Sequence, residues 1–110
     1  MTDFRDTEEF QLAKKFYSIL ADVSLPSDLN RQLKDALSSI AMNIAEGIGK
    51  SQEVAYFKIA AGSLCEVMAA LELAQEIGQF KDDKKFVECE SIFVKLYKKL
   101  SGKNGQGKLF

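Results

Sequence analysis

The stretch of sequence that decides the fold is Glu46-Gly47-Ile48-Gly49-Lys50-Ser51, or EGIGKS. Its last three residues match the end of the phosphate-binding loop G-x-x-x-x-G-K-[ST], which connects a strand to a helix. Ile44 occupies the position of the first glycine of that loop, and the residues before it have helical periodicity. The stretch therefore predicts a turn between two helices, in which Gly47 and Gly49 supply the positive backbone dihedral angle that ends a helix.

Apolar residues recur every three or four positions on both sides of this turn, as they do along one face of a helix. The pattern predicts one helix over about 27–46 and another over about 52–77. The second of these helices carries two apolar stripes, and Ala60 and Val67 belong to the second stripe. A helix that is apolar over so wide an arc needs more than one packing partner.

Two further helices flank this pair. Residues 7–21 and 82–100 have the same helical spacing, and Pro26 and Gly78 interrupt the chain on either side of the inner helices. Residues 101–110 are rich in glycine and polar groups, which predicts a flexible tail. Four helices of similar length with short connections predict an all-α fold, an antiparallel up-down four-helix bundle that forms a single domain over residues 1–110.

The composition is that of a globular domain without a strong basic character. Hydrophobic residues make up 46% of the chain and charged residues 28%, and the formal net charge is −1. Neutralisation of phosphates needs a surplus of lysine and arginine, so the net charge argues against strong nucleic-acid binding. Lysines do gather after Ser91, where no acidic residue occurs. Lysines at the end of a helix also suit the helix dipole, so a solvated helix end is the alternative interpretation.

The chain contains no histidine, which limits the kinds of catalytic and metal site that it can form. Nucleophilic triads of the usual kind and the Glu-x-x-His pairs of di-iron bundles both require histidine, so we expect no enzyme activity, no metal and no cofactor. Cys65 and Cys89 lie within the apolar periodicity and are predicted to be free core thiols, as in a reducing compartment. The acidic N-terminus does not resemble a signal peptide, and no apolar run approaches membrane-spanning length. We therefore expect a cytoplasmic protein with no membrane partner.

Polar residues interrupt the apolar pattern of the inner helices, and Asn43 needs hydrogen bonds for its amide because asparagine is costly within a helix. A hairpin centred near Gly49 would place Glu66 opposite Gln32, with Arg31 beside it. We hypothesise that Gln32 or Arg31 contacts Glu66 and so fixes the pairing of the two helices, a role that buried polar groups can have. The alternative is that Glu66 faces solvent.

Three runs carry a resemblance to a known family: QLKDA at 32–36, NIAEG at 43–47 and GSL-x-E at 62–66. They are similar to the bacterial four-helix-bundle proteins encoded in intervening sequences of large-subunit ribosomal RNA genes, which include the accessory variability determinant of diversity-generating retroelements. The similarity covers about residues 25–79, and the glycine of the third run is predicted to permit close helix approach. The structural signature residues are Gln32, Asn43, Glu46, Gly47, Gly62, Ser63 and Glu66.

The resemblance implies a homo-oligomer, a ring of five copies, which would give the second apolar stripe a partner. The residues predicted for the subunit interface are Tyr56, Ala60, Val67 and Ala70. For the retroelement branch, the resemblance also implies binding of structured nucleic acid and of a reverse transcriptase through a basic surface. The residues available for a nucleic-acid contact are Arg31, Lys34, Lys50, Lys95, Lys98 and Lys99.

Two functions of different kinds follow. The first is a weak RNA-binding or reverse-transcriptase-associated scaffold, in which a ring multiplies each modest basic patch and so raises avidity without new contacts. The second is a protein-binding assembly module with no nucleic-acid role. In both, the chain binds copies of itself and is not an enzyme.

Overall fold

The computed structural model describes residues 3–103. A short 3-10 helix (Phe4–Asp6) precedes four α-helices, and no strand occurs between residues 3 and 103. The α-helices are α1 (Glu8–Leu20), α2 (Ser27–Gly49), α3 (Val54–Glu76) and α4 (Asp83–Gly102). The predicted all-α fold with four helices is confirmed.

The four helices enclose one hydrophobic core. Contacts join α1 to α2, α2 to α3, α3 to α4 and α4 back to α1, and the α2–α3 contact is the most extensive. Every helix contributes large side chains that are fully buried, which removes most of their apolar surface from water and stabilises the fold. Examples are Phe16 and Leu20 of α1, Leu37 and Ile44 of α2, Phe57 and Leu64 of α3, and Leu96 and Leu100 of α4.

The helix ends follow local sequence signals on the α3–α4 side of the molecule. Gly78, which was predicted to interrupt the chain after α3, has a φ of +71°, a left-handed conformation that ends a helix. The side chain of Asp82 accepts a hydrogen bond from the backbone amide of Lys85 at 3.0 Å and so caps α4. Both signals lie within a few residues of the helix end that they determine, which is why the sequence alone predicts them.

The end of α2 differs from the prediction. Helix α2 continues through Gly47 to Gly49, and the positive φ values fall on Ser51 (60°) and Gln52 (68°). The prediction that the two glycines end the helix is therefore wrong. Gly47 is buried, and a Cβ atom added there would lie 2.8 Å from two ring carbons of Phe57. Gly47 is needed because the Phe57 ring of α3 packs directly against the backbone of α2.

The end of α1 is held by a residue that was predicted to contact nucleic acid. The Nζ of Lys34 donates hydrogen bonds to the carbonyl oxygens of Leu20 (3.4 Å), Ala21 (2.9 Å) and Val23 (2.6 Å). These carbonyls lie at or just after the end of α1, where the helix supplies no partner of its own. The carbonyl of Leu20 also accepts from the backbone amide of Val23 at 3.1 Å. Lys34 adds a partner to each and joins α2 to the end of α1.

Helix α4 runs further than the sequence indicated. Ser101 and Gly102 are helical, and the backbone amide of Lys103 bonds to the carbonyl of Leu100 at 3.1 Å. The first residues of the predicted flexible tail are therefore part of the bundle. The rest of that predicted tail, 104–110, lies outside the described residues.

Helix α3 is long and apolar enough to cross a membrane, judged by length and composition alone. It has 23 residues, with a mean hydropathy of 1.5 in its most apolar window. The expectation that no apolar run approaches membrane-spanning length is therefore corrected. The core helix of a soluble protein meets the same criterion, and 44% of this window is buried against the rest of the chain.

Candidate interaction surfaces

A chain of polar contacts joins α2 to α3 through the predicted signature residues. The Nδ2 of Asn43 donates to the Oγ (3.0 Å) and to the backbone carbonyl (2.8 Å) of Ser39, one turn earlier in α2. Ser63, which is only 9% exposed, donates its hydroxyl to the Oγ of Ser39 at 2.9 Å. Asn43 and Ser63 are therefore linked through Ser39, which the signature omitted although it lies one helical turn before Asn43.

The hypothesis that Glu66 contacts Gln32 or Arg31 is wrong. The bond between Ser39 and Ser63 places the centre of the α2–α3 hairpin near Ser51, because α2 extends further than predicted. Glu66 is exposed, and Arg31 instead lies 3.7 Å from the carboxylate of Asp28. Because the hairpin centre moves along the chain, the residue opposite Glu66 moves by about one helical turn.

Three of the four predicted subunit-interface residues lie in the interior of a single chain. Ala60 and Val67 are completely buried, Ala70 is 3% exposed, and Tyr56 is half-buried. The second apolar stripe of α3 is thus covered within the chain, since α3 packs against both α2 and α4. Burial removes the reason for which these residues were assigned to a contact between copies.

The opposite side of α3 is exposed and carries a second kind of apolar surface. Ile59 and Leu73 are 50% and 57% exposed, and nothing lies within 4 Å of a Cβ atom added at Gly62. No helix of the same chain approaches Gly62, so the predicted close approach is not found. We call this surface the α3 outer face; its residues alternate at four-residue and three-residue steps and are Ala55, Ile59, Gly62, Glu66, Ala69 and Leu73.

Several basic residues predicted to contact nucleic acid are paired within the chain. Lys34 binds the backbone carbonyls at the end of α1. The Nζ of Lys99 lies 2.8 Å from the carboxylate of Glu8, and this hydrogen bond raises the pKa of Lys99. Lys50 lies 3.3 Å from the hydroxyl of Tyr56, and this bond, with the charges of Tyr56 and Glu46, raises its pKa.

Two of the predicted lysines differ from the others. Lys95 and Lys98 are exposed on α4, and within residues 3–103 neither side chain has an ion pair or hydrogen bond. They lie beside Val94, which is 59% exposed, and Val87, one heptad earlier, is 63% exposed. We call this surface the α4 outer face, and its residues are Val87, Ser91, Val94, Lys95 and Lys98.

An ion pair that the sequence analysis did not identify closes one end of the bundle. The Nζ of Lys103 lies 2.6 Å from the carboxylate of Glu9, whose side chain is only 10% exposed. The same Nζ lies 3.1 Å from the side-chain oxygen of Gln52 and 5.4 Å from the centre of the Phe57 ring. Lys103 therefore joins the end of α4 to α1, to the α2–α3 turn and to α3.

The pKa of Glu9 reflects this pair. Burial alone would raise the pKa of the carboxyl, but the hydrogen bond from Lys103, a backbone hydrogen bond, and the charges of Lys103 and Lys99 lower it below its ordinary value. The carboxylate form is therefore the form that the folded chain favours. Apart from a glutamate at the start of a predicted helix, the sequence contained no signal for this contact.

A comparison against protein families covers all four α-helices. The family model described as 23S rRNA-intervening sequence protein matches residues 7–102. The chain belongs to this family. Neither a curated protein nor a solved structure matches this chain.

Few residues of this chain are suited to metal binding or to nucleophilic catalysis. No group of three or more histidine, cysteine, aspartate or glutamate side chains between residues 3 and 103 is placed to hold a metal ion. Burial raises the pKa of both thiols, and that of Cys89, which is also near Glu88, to about 11. Both cysteines are unpaired by disulfides and are protonated at neutral pH.

Proposed function

We propose that this chain is a non-enzymatic assembly module, an antiparallel up-down bundle that associates with copies of itself. The observation that carries the proposal is the α3 outer face. It presents two large apolar side chains to solvent, Ile59 and Leu73, in line with small residues along one helix. A further residue at the end of this line, Ile77, is 59% exposed. We take this row of exposed apolar and small residues as the surface on which a second copy packs.

The antiparallel arrangement is supported by the contacts between α1 and α4. Glu8, at the start of α1, pairs with Lys99, near the end of α4. Asp22, just after α1, pairs at 3.2 Å with Lys85, near the start of α4. A pairing of start with end in both places is what two helices of opposite direction produce. The short connections between consecutive helices have the same consequence for the other neighbours.

We also propose that the protein is cytoplasmic, and the non-enzymatic and cytoplasmic parts of the proposal have separate support. The chain has no histidine to serve as a base, and both thiols have raised pKa values and so are poor nucleophiles at neutral pH. Unpaired cysteines are usual in a reducing compartment. We propose five copies for the assembly on the family resemblance, and no metal, cofactor or membrane partner.

Replacement of the exposed Leu73 tests the self-assembly. We expect Leu73→Asp to convert the assembly to monomers, because a buried carboxylate at a contact between copies is strongly unfavourable. Light scattering measures the mass, and far-UV circular dichroism checks that helicity is retained. Met42→Asp is the matched control, since Met42 of α2 is 68% exposed and lies off the α3 outer face. A monomeric wild-type chain at micromolar concentration would refute the proposal.

A second candidate is the RNA-binding or reverse-transcriptase-associated scaffold. The observation that favours it is the pair of exposed lysines on α4, Lys95 and Lys98, which have no partner between residues 3 and 103. Under this candidate, binding of structured RNA weakens linearly with the logarithm of salt concentration. The Lys95→Glu, Lys98→Glu variant then binds less RNA than the Lys14→Glu, Lys15→Glu control of equal charge. Equal RNA binding by the two variants would contradict it.

A further inference from the structure

The α4 outer face has properties complementary to those of the α3 outer face. On α4, Val87 and Val94 are exposed seven residues apart, and Lys95 and Lys98 add positive charge beside Val94. On α3, the exposed acidic residues Glu66, Glu72 and Glu76 cluster in the C-terminal half around Leu73. Lys95 and Lys98 beside Val94 are opposite in charge to Glu66, which favours contact between these parts of the two surfaces. Around Val87 the exposed charges are mixed and are those of Lys84, Glu88 and Glu90.

We propose that the α3 outer face of one copy binds the α4 outer face of the next copy, with Glu66 paired to Lys95 and Leu73 packed on Val87. The inference rests on the self-assembly proposed above and identifies the partner surface. The α3 outer face could in principle meet its own equivalent in a two-fold dimer. That arrangement would bring the glutamates of two copies together, which is unfavourable.

The heights of these residues along the bundle agree with such a pairing. The Nζ of Lys103, the residue after α4, lies 5.4 Å from the centre of the Phe57 ring of α3, so Lys103 and Phe57 are at about the same level. The two helices run in opposite directions. A residue a given number of positions after Phe57 on α3 is therefore level with the residue the same number of positions before Lys103 on α4. Leu73 is thus level with Val87, and Glu66 is level with Val94, next to Lys95. Copies related by rotation about an axis parallel to the helices keep these levels.

The small residues of the α3 outer face have a use in this contact. Gly62 is level with Lys98 by the same counting, and nothing in its own chain lies within 4 Å of an added Cβ atom. The absence of a side chain leaves room for the long lysine stem of the next copy to lie along α3. Its ammonium group is then near Glu66, one helical turn further along α3.

The contact joins two different surfaces, so it is heterologous. Each copy uses its α3 outer face for one neighbour and its α4 outer face for the other. Heterologous contacts close into a ring when the rotation between copies divides a full turn. The same contact also accounts for the exposed lysines on α4 without a nucleic acid, because the next copy supplies their acidic partner.

A mixing experiment with two single variants distinguishes this arrangement from others. Leu73→Asp damages the α3 outer face and leaves the α4 outer face intact, whereas Val87→Asp does the reverse. Each variant alone is expected to be monomeric. An equimolar mixture is expected to form heterodimers in sedimentation velocity, because one intact face of each kind remains. The dimers cannot grow, since their free faces are both damaged.

Charge reversal tests the residue pairing. We expect Glu66→Lys and Lys95→Glu each to weaken assembly by tenfold or more in dissociation constant, about 1.4 kcal/mol. The variant that carries both Glu66→Lys and Lys95→Glu is expected to recover most of the wild-type affinity for self-assembly. Met42→Asp is the control that leaves assembly unchanged.

The failures of the two proposals are distinguishable. A monomeric wild-type chain overturns self-assembly and the pairing together. If Leu73→Asp dissociates the assembly but Val87→Asp does not, self-assembly stands and the role of the α4 outer face is refuted. Monomers of both variants that give no heterodimer on mixing also refute the pairing. A double charge reversal no better than the single ones refutes the contact between Glu66 and Lys95.

Discussion

Replacing Gly47 by alanine is expected to lower the free energy of unfolding, although alanine favours helix more than glycine does. The added methyl group meets two ring carbons of Phe57 at 2.8 Å, and that ring is completely buried and has little room to move. Overpacking of this kind costs about 1–3 kcal/mol. The higher helix propensity of alanine offsets up to about 1 kcal/mol of this cost. We therefore expect the free energy of unfolding, measured by urea denaturation, to fall by about 1–2 kcal/mol.

Gly49→Ala is the matched control for this result. Gly49 is in the same helix two residues later, and nothing lies within 4 Å of an added Cβ atom. The control is expected to gain about 0.5 kcal/mol, since only the backbone preference changes. A second check is the addition of Phe57→Leu to Gly47→Ala. If the two changes have strictly additive effects, the close approach of Phe57 is not the reason for glycine at position 47.

Replacing Lys103 by methionine is expected to cost about 2 kcal/mol at neutral pH. Methionine keeps an apolar side chain near Phe57 but leaves the carboxylate of Glu9, only 10% exposed, without its partner. Breaking a buried pair from one side costs about 3–5 kcal/mol, and the 24% exposure of the Lys103 side chain reduces this. Lys99→Met is the control, because the side chain of its partner Glu8 is 65% exposed, and we expect it to cost less than about 0.5 kcal/mol.

The difference in unfolding free energy between wild type and Lys103→Met should become smaller at acidic pH. The folded chain lowers the pKa of Glu9, so the stabilisation is fully present above the ordinary glutamate pKa, about 4.3. It is lost as pH falls through the lowered pKa of the folded state. We therefore expect the difference in unfolding free energy to hold from neutral pH down to about pH 4.3 and to shrink from there towards about pH 3. A difference that stays constant over this range would show that Glu9 and Lys103 do not stabilise the fold as an ion pair.

The two candidate functions assign different contacts to Lys95 and Lys98. In the pairing of α3 with α4, Lys95 and Lys98 face the acidic residues of the next copy. In the RNA scaffold they remain available for phosphates. Measuring assembly and RNA binding on the same samples therefore decides between them, because charge reversal at Lys95 affects mass in the first case and RNA affinity at constant mass in the second.

The sequence by itself determined the features that depend on neighbouring residues. The three-to-four-residue spacing of apolar side chains predicted four helices, and the structure has four. Gly78 ends α3 and Asp82 caps α4 through bonds within a few residues, so both could be predicted from local chemistry. The runs containing Asn43 and Gly62 were sufficient to identify the family.

Only the tertiary structure decided how distant parts of the chain meet. The sequence identified Ala60 and Val67 as apolar but not which helix covers them, and it could not separate the paired Lys34 from the exposed Lys95. It also assigned Gly47 to a turn, whereas the close approach of Phe57 explains that glycine. The physical reason is that periodicity fixes the direction of a side chain around its own helix. What lies opposite depends on helix length and on the level at which two helices pack.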